Sequence, residues 1–461
     1  MSRHFSLAMR AEQHAALRRH LFPGDGKEAA AIALCGRGEA PGRSRLLVHE
    51  LHPVPYAVCT ERAPDRITWP VSWLDALLAA ATSRGLSVVK FHSHTGNFRR
   101  FSGIDDASDA RLFAGIHAWF EAPLPHASVV MMDDGSMFGR IVGDDGAFGP
   151  LHTVAVVGED LHLHHAQGGP GLPPLSTGRD TPAFGRAMVA DLRRLSVAVV
   201  GCSGTGSIVV EQLARLGIGR LVLTDPEAVE AKNLNRIVNA TGANAAAGTA
   251  KVEVARRAIE AIGFGTVVET HATNLVSRAA VQAVAGCDVV IGCVDSAEGR
   301  DVLGRISTYY LLPYIDVGVG IVATPDGTVD EINGAIHYVR PGGESLLARK
   351  VYRAEQVGAD ALRRRDPRLY EERLRQKYIV GRDEEAPAVI SVNMLAASLA
   401  VNELLARLYG FRNQPNRHYD TIRFSLTEMS MESCAVPPAS AGRFLGAGDT
   451  VPLLGLPELG A

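Results

Sequence analysis

The sequence predicts an α/β protein of two domains, the second a doubly wound parallel sheet. Three observations predict this. A continuous apolar run, Val197 to Val200, leads into a glycine-rich turn and then a helical stretch. Strand-like and helix-like segments alternate from Lys251 to Gly318. A Pro/Gly-rich segment, Gly168 to Gly178 (GGPGLPPLSTG), has the composition of a linker. The expected boundaries are a first domain over 1–155, a linker over 156–178, and a second domain with a C-terminal tail over 179–461.

Bulk composition narrows the function classes. The chain has 461 residues, 46% hydrophobic and 21% charged, which suits sizeable cores. A net charge of −3 gives no basic excess, so nucleic acid is not an expected partner. The N-terminal stretch lacks the apolar core of a secretory signal. The most apolar run, Ala388 to Tyr409, carries Asn393, Asn402, Glu403 and Arg407, so it reads as a buried helix and no membrane span is expected. Six cysteines without a CxxC pair argue against a disulfide framework. The expected setting is the reducing cytoplasm.

In the first domain, Ser72 to Ala81 reads as a capped helix with Trp73, Leu74, Leu77 and Leu78 apolar. Ser87 to His92 reads as a buried strand. Asp109 to Phe120 reads as an amphipathic helix with Leu112, Phe113, Ile116 and Trp119 on one side. Ala127 to Met132 and Met137 to Val142, joined by Asp133-Asp134-Gly135-Ser136, read as a hairpin. The chemistry lies in HSHTGNFRRFSGIDD. His92 and His94 are two apart on an extended segment, so their rings face one side. With Asp105 they make a three-ligand zinc set whose fourth position is open. His162, His164 and His165 read as surface residues rather than a second metal site.

The spacing H-x-H-x7-S-x2-D, with Thr95 where proline is common, resembles the JAMM (JAB) metalloprotease motif. That family cleaves after the C-terminus of ubiquitin-like proteins. The resemblance implies that His92, His94 and Asp105 bind zinc. It also implies that Glu28, at the start of an apolar strand after the opening helix, moves the proton. Ser102 then helps hold the oxyanion.

In the second domain, Gly201, Gly204 and Gly206 bring bare N–H groups to the start of a helix, Ser207 to Leu216, that stops at Gly217. A strand, Leu221 to Thr224, delivers Asp225 about twenty residues past the glycines, where a carboxylate can accept from ribose hydroxyls. These features alone suit any nucleotide on a Rossmann-like unit, a nicotinamide dehydrogenase included. Asn233-Leu234-Asn235-Arg236, Lys251 and Asp295 add two cations and a strand-end carboxylate, which suit a triphosphate with Mg²⁺.

From Arg179 to Gly410 the chain resembles the adenylation domain of the ThiF and ubiquitin-activating family. Those enzymes adenylate the C-terminal glycine of a ubiquitin-like or sulfur-carrier protein with ATP. The resemblance implies Asp225 on the ribose and Asn233, Arg236 and Lys251 on the phosphates. Asn235 joins the same nucleotide-binding set, and Asp295 holds Mg²⁺. Arg179 resembles an arginine that reaches across a homodimer to the partner's ATP. Ser203 stands where the family has the middle glycine of its loop.

The remaining expected elements are helices Lys251 to Ile262 and Ala297 to Tyr310 and strands Thr266 to His271, Asp288 to Val294 and Pro313 to Gly318. A hairpin over Ile321 to Tyr338 turns at Pro325-Asp326-Gly327. Ser345 to Asp383 is a charged helical pair or a segment crossing over the adenylate. Where relatives start a zinc knuckle, Pro341 to Ala348 has no cysteine, so no zinc is expected in this domain. Cys434 is the candidate acceptor thiol for a thioester; otherwise an external nucleophile takes the acyl group.

The combined expectation is a bifunctional enzyme. Its adenylating half activates a glycine-ending carrier, and its zinc half trims that carrier or its conjugates. A conjugating enzyme is a further expected partner. The alternative is a zinc peptidase whose second domain only binds nucleotide or the carrier.

Overall fold

The computed structural model describes residues 3–96, 98–166, 185–324, 326, 328–376, 389–437, 442–456 and 459. Two compact units result. One is Met1–Gly171 with Tyr309–Leu311 and Gly442–Ala461; the other is Leu172–Thr308 with Leu312–Ala441.

The first unit runs β1 (His4–Arg10), α1 (Ala11–Leu21), β2 (Ala30–Ala40), β3 (Arg43–Pro53) and a small hairpin of β4 (Glu61–Ala63) and β5 (Arg66–Thr68). It continues through α2 (Asp75–Arg84), β6 (Ser87–His94), α3 (Gly103–His117), β7 (His126–Met132), β8 (Met137–Val142), β9 (Phe148–Leu151), β10 (Thr153–Val157) and β11 (Leu161–His165). Nine strands make one sheet in the order β11-β10-β1-β3-β2-β6-β7-β8-β9. Strand alternation splits its side chains between two cores. Ala31, Ala33, Val89, Phe91 and Met131 pack with Leu17 and Leu21 of α1. Ile32, Leu34 and Val88 pack with Leu78 of α2 and Phe113 and Ile116 of α3. Each such large apolar side chain contributes about 1.5–3 kcal/mol on burial.

Several expected boundaries shift. The helix expected over Ser72 to Ala81 divides into a 3-10 turn, Val71–Leu74, and α2. Pro70 starts the tight turn, its carbonyl accepting from Trp73 N–H at 3.1 Å. The helix expected from Asp109 starts at Gly103, because Ser102 caps it by accepting from Asp105 N–H at 3.1 Å. It ends at His117, which leaves Trp119 43% exposed.

The first domain was expected to end at 155, which falls inside β10. That strand is fully buried, pairs in parallel with β1 and pairs antiparallel with β11. Residues 156, 157 and 161–165 are therefore sheet, with a bend over 158–160 between the strands, and not linker. Gly168 to Gly178 lies outside the described residues. The C-terminal residues also depart from expectation, since Gly442–Ala461 groups with the first unit. Gly36 on β2 leaves the room: a Cβ there would collide with the Gly446 carbonyl oxygen. Asp449 N–H then donates to Arg37 O at 2.6 Å.

The second unit contains α4 (Gly185–Leu192), β12 (Ser196–Val200), α5 (Gly204–Arg215), β13 (Arg220–Thr224), α6 (Gly242–Ala246), α7 (Lys251–Ile262) and β14 (Val267–His271). Next come α8 (Arg278–Ala285), β15 (Val289–Gly292), α9 (Ala297–Tyr310, its last two residues grouping with the first unit), β16 (Tyr314–Ala323), β17 (Val329–Val339), α10 (Ala354–Arg365), α11 (Pro367–Arg375), α12 (Ile390–Tyr409), β18 (Thr421–Ser425) and β19 (Ser430–Cys434). The sheet order is β14-β13-β12-β15-β16-β17-β18-β19. The first five strands are parallel and the last three join antiparallel. Strand order reverses between β12 and β15, the place where open α/β sheets bind ligands.

The two segments expected as a strand over Pro313 to Gly318 and a hairpin arm from Ile321 are one strand, β16. Pro325 and Gly327 of the expected turn lie outside the described residues, as do 377–388 of the charged segment. The rest of that segment forms α10 and α11. The apolar run is α12, packed on α5 and β16. Among the described residues no helix is long and apolar enough to cross a membrane.

Candidate functional site

In the first unit, β6 carries His92 and His94, both buried. The α3 cap turns Asp105 toward them. His92 Nε2 is 2.9 Å from Asp105 Oδ1 and His94 Nε2 is 3.4 Å from Asp105 Oδ2. One ligand atom from each of the three residues lies within 4.8 Å of the others. Both ring nitrogens of His92 are buried, Nδ1 without a hydrogen-bond partner and Nε2 with the Asp105 carboxylate beside it, so the ring has donor capacity left for a further group. These donors fit a zinc ion. His94 Nδ1 is 2.9 Å from Phe98 O, a contact that orients the ring with Nε2 inward.

Electrostatics agree with a ligand set. Burial pushes His92 down to about 4, with the Lys90 charge adding to it, so the ring is neutral and ready to ligate. Burial disfavours a charged Asp105, but contacts from His92 and His94 win and hold it well below the usual carboxylate range.

Glu28 reaches this site through sheet register. Ala30 pairs with His92 across β2 and β6, and Ser93 N–H donates to Ala29 O at 3.1 Å, so Glu28 falls beside His94. It is 7% exposed. Burial raises its pKa to about 7, against the pull of His94 and with a push from Asp105. A carboxyl poised there can take and return a proton near neutral pH. Ser102 lies at the N-cap of α3. Its hydroxyl is 2.7 Å from Asp105 Oδ2 and donates to it, which orients that carboxylate. The capping-box spacing S-x-x-D was the local signal for this, hidden under the metal motif. His162, His164 and His165 sit on β11, and among the described residues only His92, His94 and Asp105 form a metal-sized group.

In the second unit, Gly201 has φ +87°, a conformation glycine adopts without cost. A Cβ on Gly206 would collide with the Gly201 carbonyl oxygen, and one on Gly204 with the Asn393 amide. The turn is thus a backbone cradle at the N-terminus of α5, suited to phosphate. Lys251, the first residue of α7, is buried and extends to it: Nζ is 3.5 Å from Ser203 Oγ and pairs with Glu227. The Arg236 side chain lies over Gly204, its Cδ 3.1 Å from where a Cβ would sit. Its guanidinium donates to Lys232 O at 2.9 Å and to Asn235 Oδ1 at 3.1 Å.

Asp225 follows β13 and accepts from Cys202 N–H at 2.7 Å and Glu227 N–H at 2.9 Å. Burial raises its pKa, against the pull of Lys251. Asp295 is exposed beyond the end of β15, close enough to act on Arg300. Asn233 lies in the 3-10 turn Ala231–Asn233 after β13. It is buried, and its Oδ1 caps that turn by accepting from Glu230 N–H at 3.0 Å. Arg179 lies outside the described residues. Glu227 has no signal in the sequence, and Asn393 shows there only as a polar residue of the apolar run, since only folding brings the two to the turn.

Thiols are poorly placed for chemistry in the cradle. Burial raises the pKa of Cys202 and of Cys293. Cys434 is exposed, and it ends strand β19 opposite Thr421 rather than lying in a free tail. It shares a sheet face with a cleft of about 530 Å³ lined by Arg300, Asp316, Gly318, Gly320, His337 and Arg423.

The class these observations define is a two-unit α/β protein: a zinc-type ligand set on one sheet and a phosphate cradle at the switch point of a Rossmann-like sheet. Residues 177–442 match the ThiF family, and residues 10–137 match the prokaryotic homologs of the JAB domain. The chain belongs to the ThiF family and carries a JAB-like domain at its N-terminus. It is 31% identical over 169 residues to the ubiquitin-like modifier-activating enzyme 5 of Drosophila mojavensis, covering 34% of this chain and 40% of that protein. The Aedes aegypti enzyme of the same name is 28% identical over 169 residues, with the same coverage. The chain thus spans about 40% of the length of the curated relatives it matches. Among solved structures, E. coli MccB with ATP is 19% identical with a TM-score of 0.42, covering 55% of this chain and 67% of that one. PaaA is 18% identical with a TM-score of 0.40, covering 59% and 78%.

Proposed function

We propose that the second unit adenylates the C-terminal glycine of a ubiquitin-like or sulfur-carrier protein, and that the first unit is a zinc peptidase acting on the same protein end. The observation that carries this reading is the meeting of buried Lys251 with the glycine turn at the sheet's switch point. A buried ammonium beside bare N–H groups suits the phosphates of a nucleotide. The carrier's terminal carboxylate attacks the α-phosphorus of ATP and pyrophosphate leaves. Lys251 and Arg236 offset charge on the departing phosphates. Asp225 faces the ribose side and Asp295 is the residue offered to Mg²⁺. The glycine-floored cleft beside β16 and β17 has room for an extended, small-residue peptide end. A homodimer, with Arg179 completing the partner's nucleotide site, belongs to this reading, as does a cytoplasmic setting.

In the first unit His92, His94 and Asp105 would hold zinc, which supplies Lewis acidity and an acidified water when bound. Glu28 moves the proton between water and the leaving amine, and the two histidines keep Asp105 ionised. Both units act on one flexible end, so tethering them raises effective concentration.

Two experiments test this. Pyrophosphate exchange into ATP should require a carrier ending in glycine, and Asp295→Ala should suppress it. Glu28→Gln should lower cleavage of a carrier with a C-terminal extension about 10²–10⁴-fold with zinc content kept. A second reading has one observation in its favour: Ser203 adds a side chain to the cradle, beside Lys251. On that reading the second unit binds nucleotide without chemistry, and the carrier drives no exchange while cleavage persists.

A further inference from the structure

Lys90, His92 and His94 alternate on β6, so they share one face of the strand. The helix α3 lies on that face, and Asp105 and Asp109 are one turn apart on it. The contacts repeat. The histidines meet Asp105, and Lys90 Nζ meets Asp109 Oδ1 at 2.5 Å. Two strand residues advance about 6.6 Å and four helix residues about 6 Å, so the two sets of contacts come into step only at one register.

A third element closes the arrangement. Arg140 of β8 donates to Asp109 Oδ2 from Nε at 3.1 Å and from Nη2 at 2.7 Å, and its Nη1 pairs with Asp106. Its guanidinium lies 3.8 Å from the centre of the Phe101 ring and 3.7 Å from that of Phe148. Phe101 directly precedes the cap residue Ser102. The side chains of Lys90, Asp109 and Arg140 are 5%, 0% and 9% exposed.

We propose that Lys90, Asp109 and Arg140 are positioning residues for the metal ligand Asp105. A one-residue slip of α3 would turn Asp105 away by roughly 100°. A buried ion pair is weak evidence of net stability, because desolvation offsets its attraction. Two cations, Lys90 from β6 and Arg140 from β8, converge on the Asp109 carboxylate of one helix face, so the helix has one seat. This rests on the zinc reading of His92, His94 and Asp105.

The test is the zinc dissociation constant of the full chain, measured by chelator competition, with thermal unfolding of the metal-free form alongside. Asp109→Asn should weaken zinc about 10–100-fold in protein that is still folded, as loss of an outer ligand support does elsewhere. Arg140→Lys, which keeps the charge but loses the fork, should weaken it less. Glu403→Gln breaks a buried ion pair in the other unit. It should lower the unfolding temperature and leave zinc affinity unchanged, which separates positioning from general stability. Folded Asp109→Asn with parental zinc affinity overturns the proposal. If Asp109→Asn does not fold, parental affinity in Arg140→Lys overturns it instead. A parent chain with no zinc that His92→Ala removes would take down the zinc reading and this inference together. A parent that binds zinc, with variants that bind it equally, removes the inference alone.

Discussion

Replacing Lys251 with methionine isolates the charge at the phosphate turn. Methionine keeps most of the length and apolar contact of the stem, which is 2% exposed, and removes only the ammonium. That ammonium lies 3.5 Å from Ser203 Oγ, at the mouth of the glycine turn. A hydrogen bond between a charged donor and a phosphate contributes about 1.5–3 kcal/mol, so kcat/KM for ATP should fall roughly 10–150-fold. Glu227, the partner left behind, is 66% exposed and regains water. The stability cost should therefore stay within about 1 kcal/mol. The assay is ATP–pyrophosphate exchange driven by a glycine-ending carrier, with thermal unfolding as the control. Parental exchange in a normally folded Lys251→Met protein would refute the phosphate role of this turn.

Two further outcomes follow from burial. Arg407 is fully buried on α12, with Nε 2.7 Å from Glu403 Oε1, Nη2 3.3 Å from Asp420 Oδ1 and the Tyr338 ring 3.9 Å below. Arg407→Met removes the cation that Glu403 and Asp420 share, leaving Glu403 with Arg412 and Asp420 with the Val436 N–H; it should cost about 3 kcal/mol, read as a fall of roughly 6 °C or more in unfolding temperature, and an unchanged temperature contradicts this. His126 is buried, and burial lowers its pKa to about 3 from an ordinary 6.5. Between those values the unfolded chain binds a proton the folded chain refuses, so stability rises with pH across that window. The slope from this group reaches at most about 1.4 kcal/mol per pH unit. Urea midpoints at several pH values should show a shallower slope in His126→Asn; equal slopes would remove His126 as a source.

The sequence by itself determined what depends on near neighbours. The glycine turn after Val200, the paired histidines on a strand and helices Lys251–Ile262 and Ala297–Tyr310 were all legible, because local sterics and side-chain periodicity act within a few residues. Ser102 and Asp105 were legible as a motif, and the hydrogen bond from the hydroxyl to the carboxylate joins them. Only the tertiary structure decided the rest. Glu28 reaches His94 through the pairing of β2 with β6, and Lys251 reaches Ser203 across intervening chain. The strands β1, β3, β10 and β11, and the seating of Gly442–Ala461 with the first unit, were likewise not legible. Strand partners are chosen by register between distant segments, and a buried charge finds its counterpart only when the interior closes. Neither quantity is written in any short window of the chain.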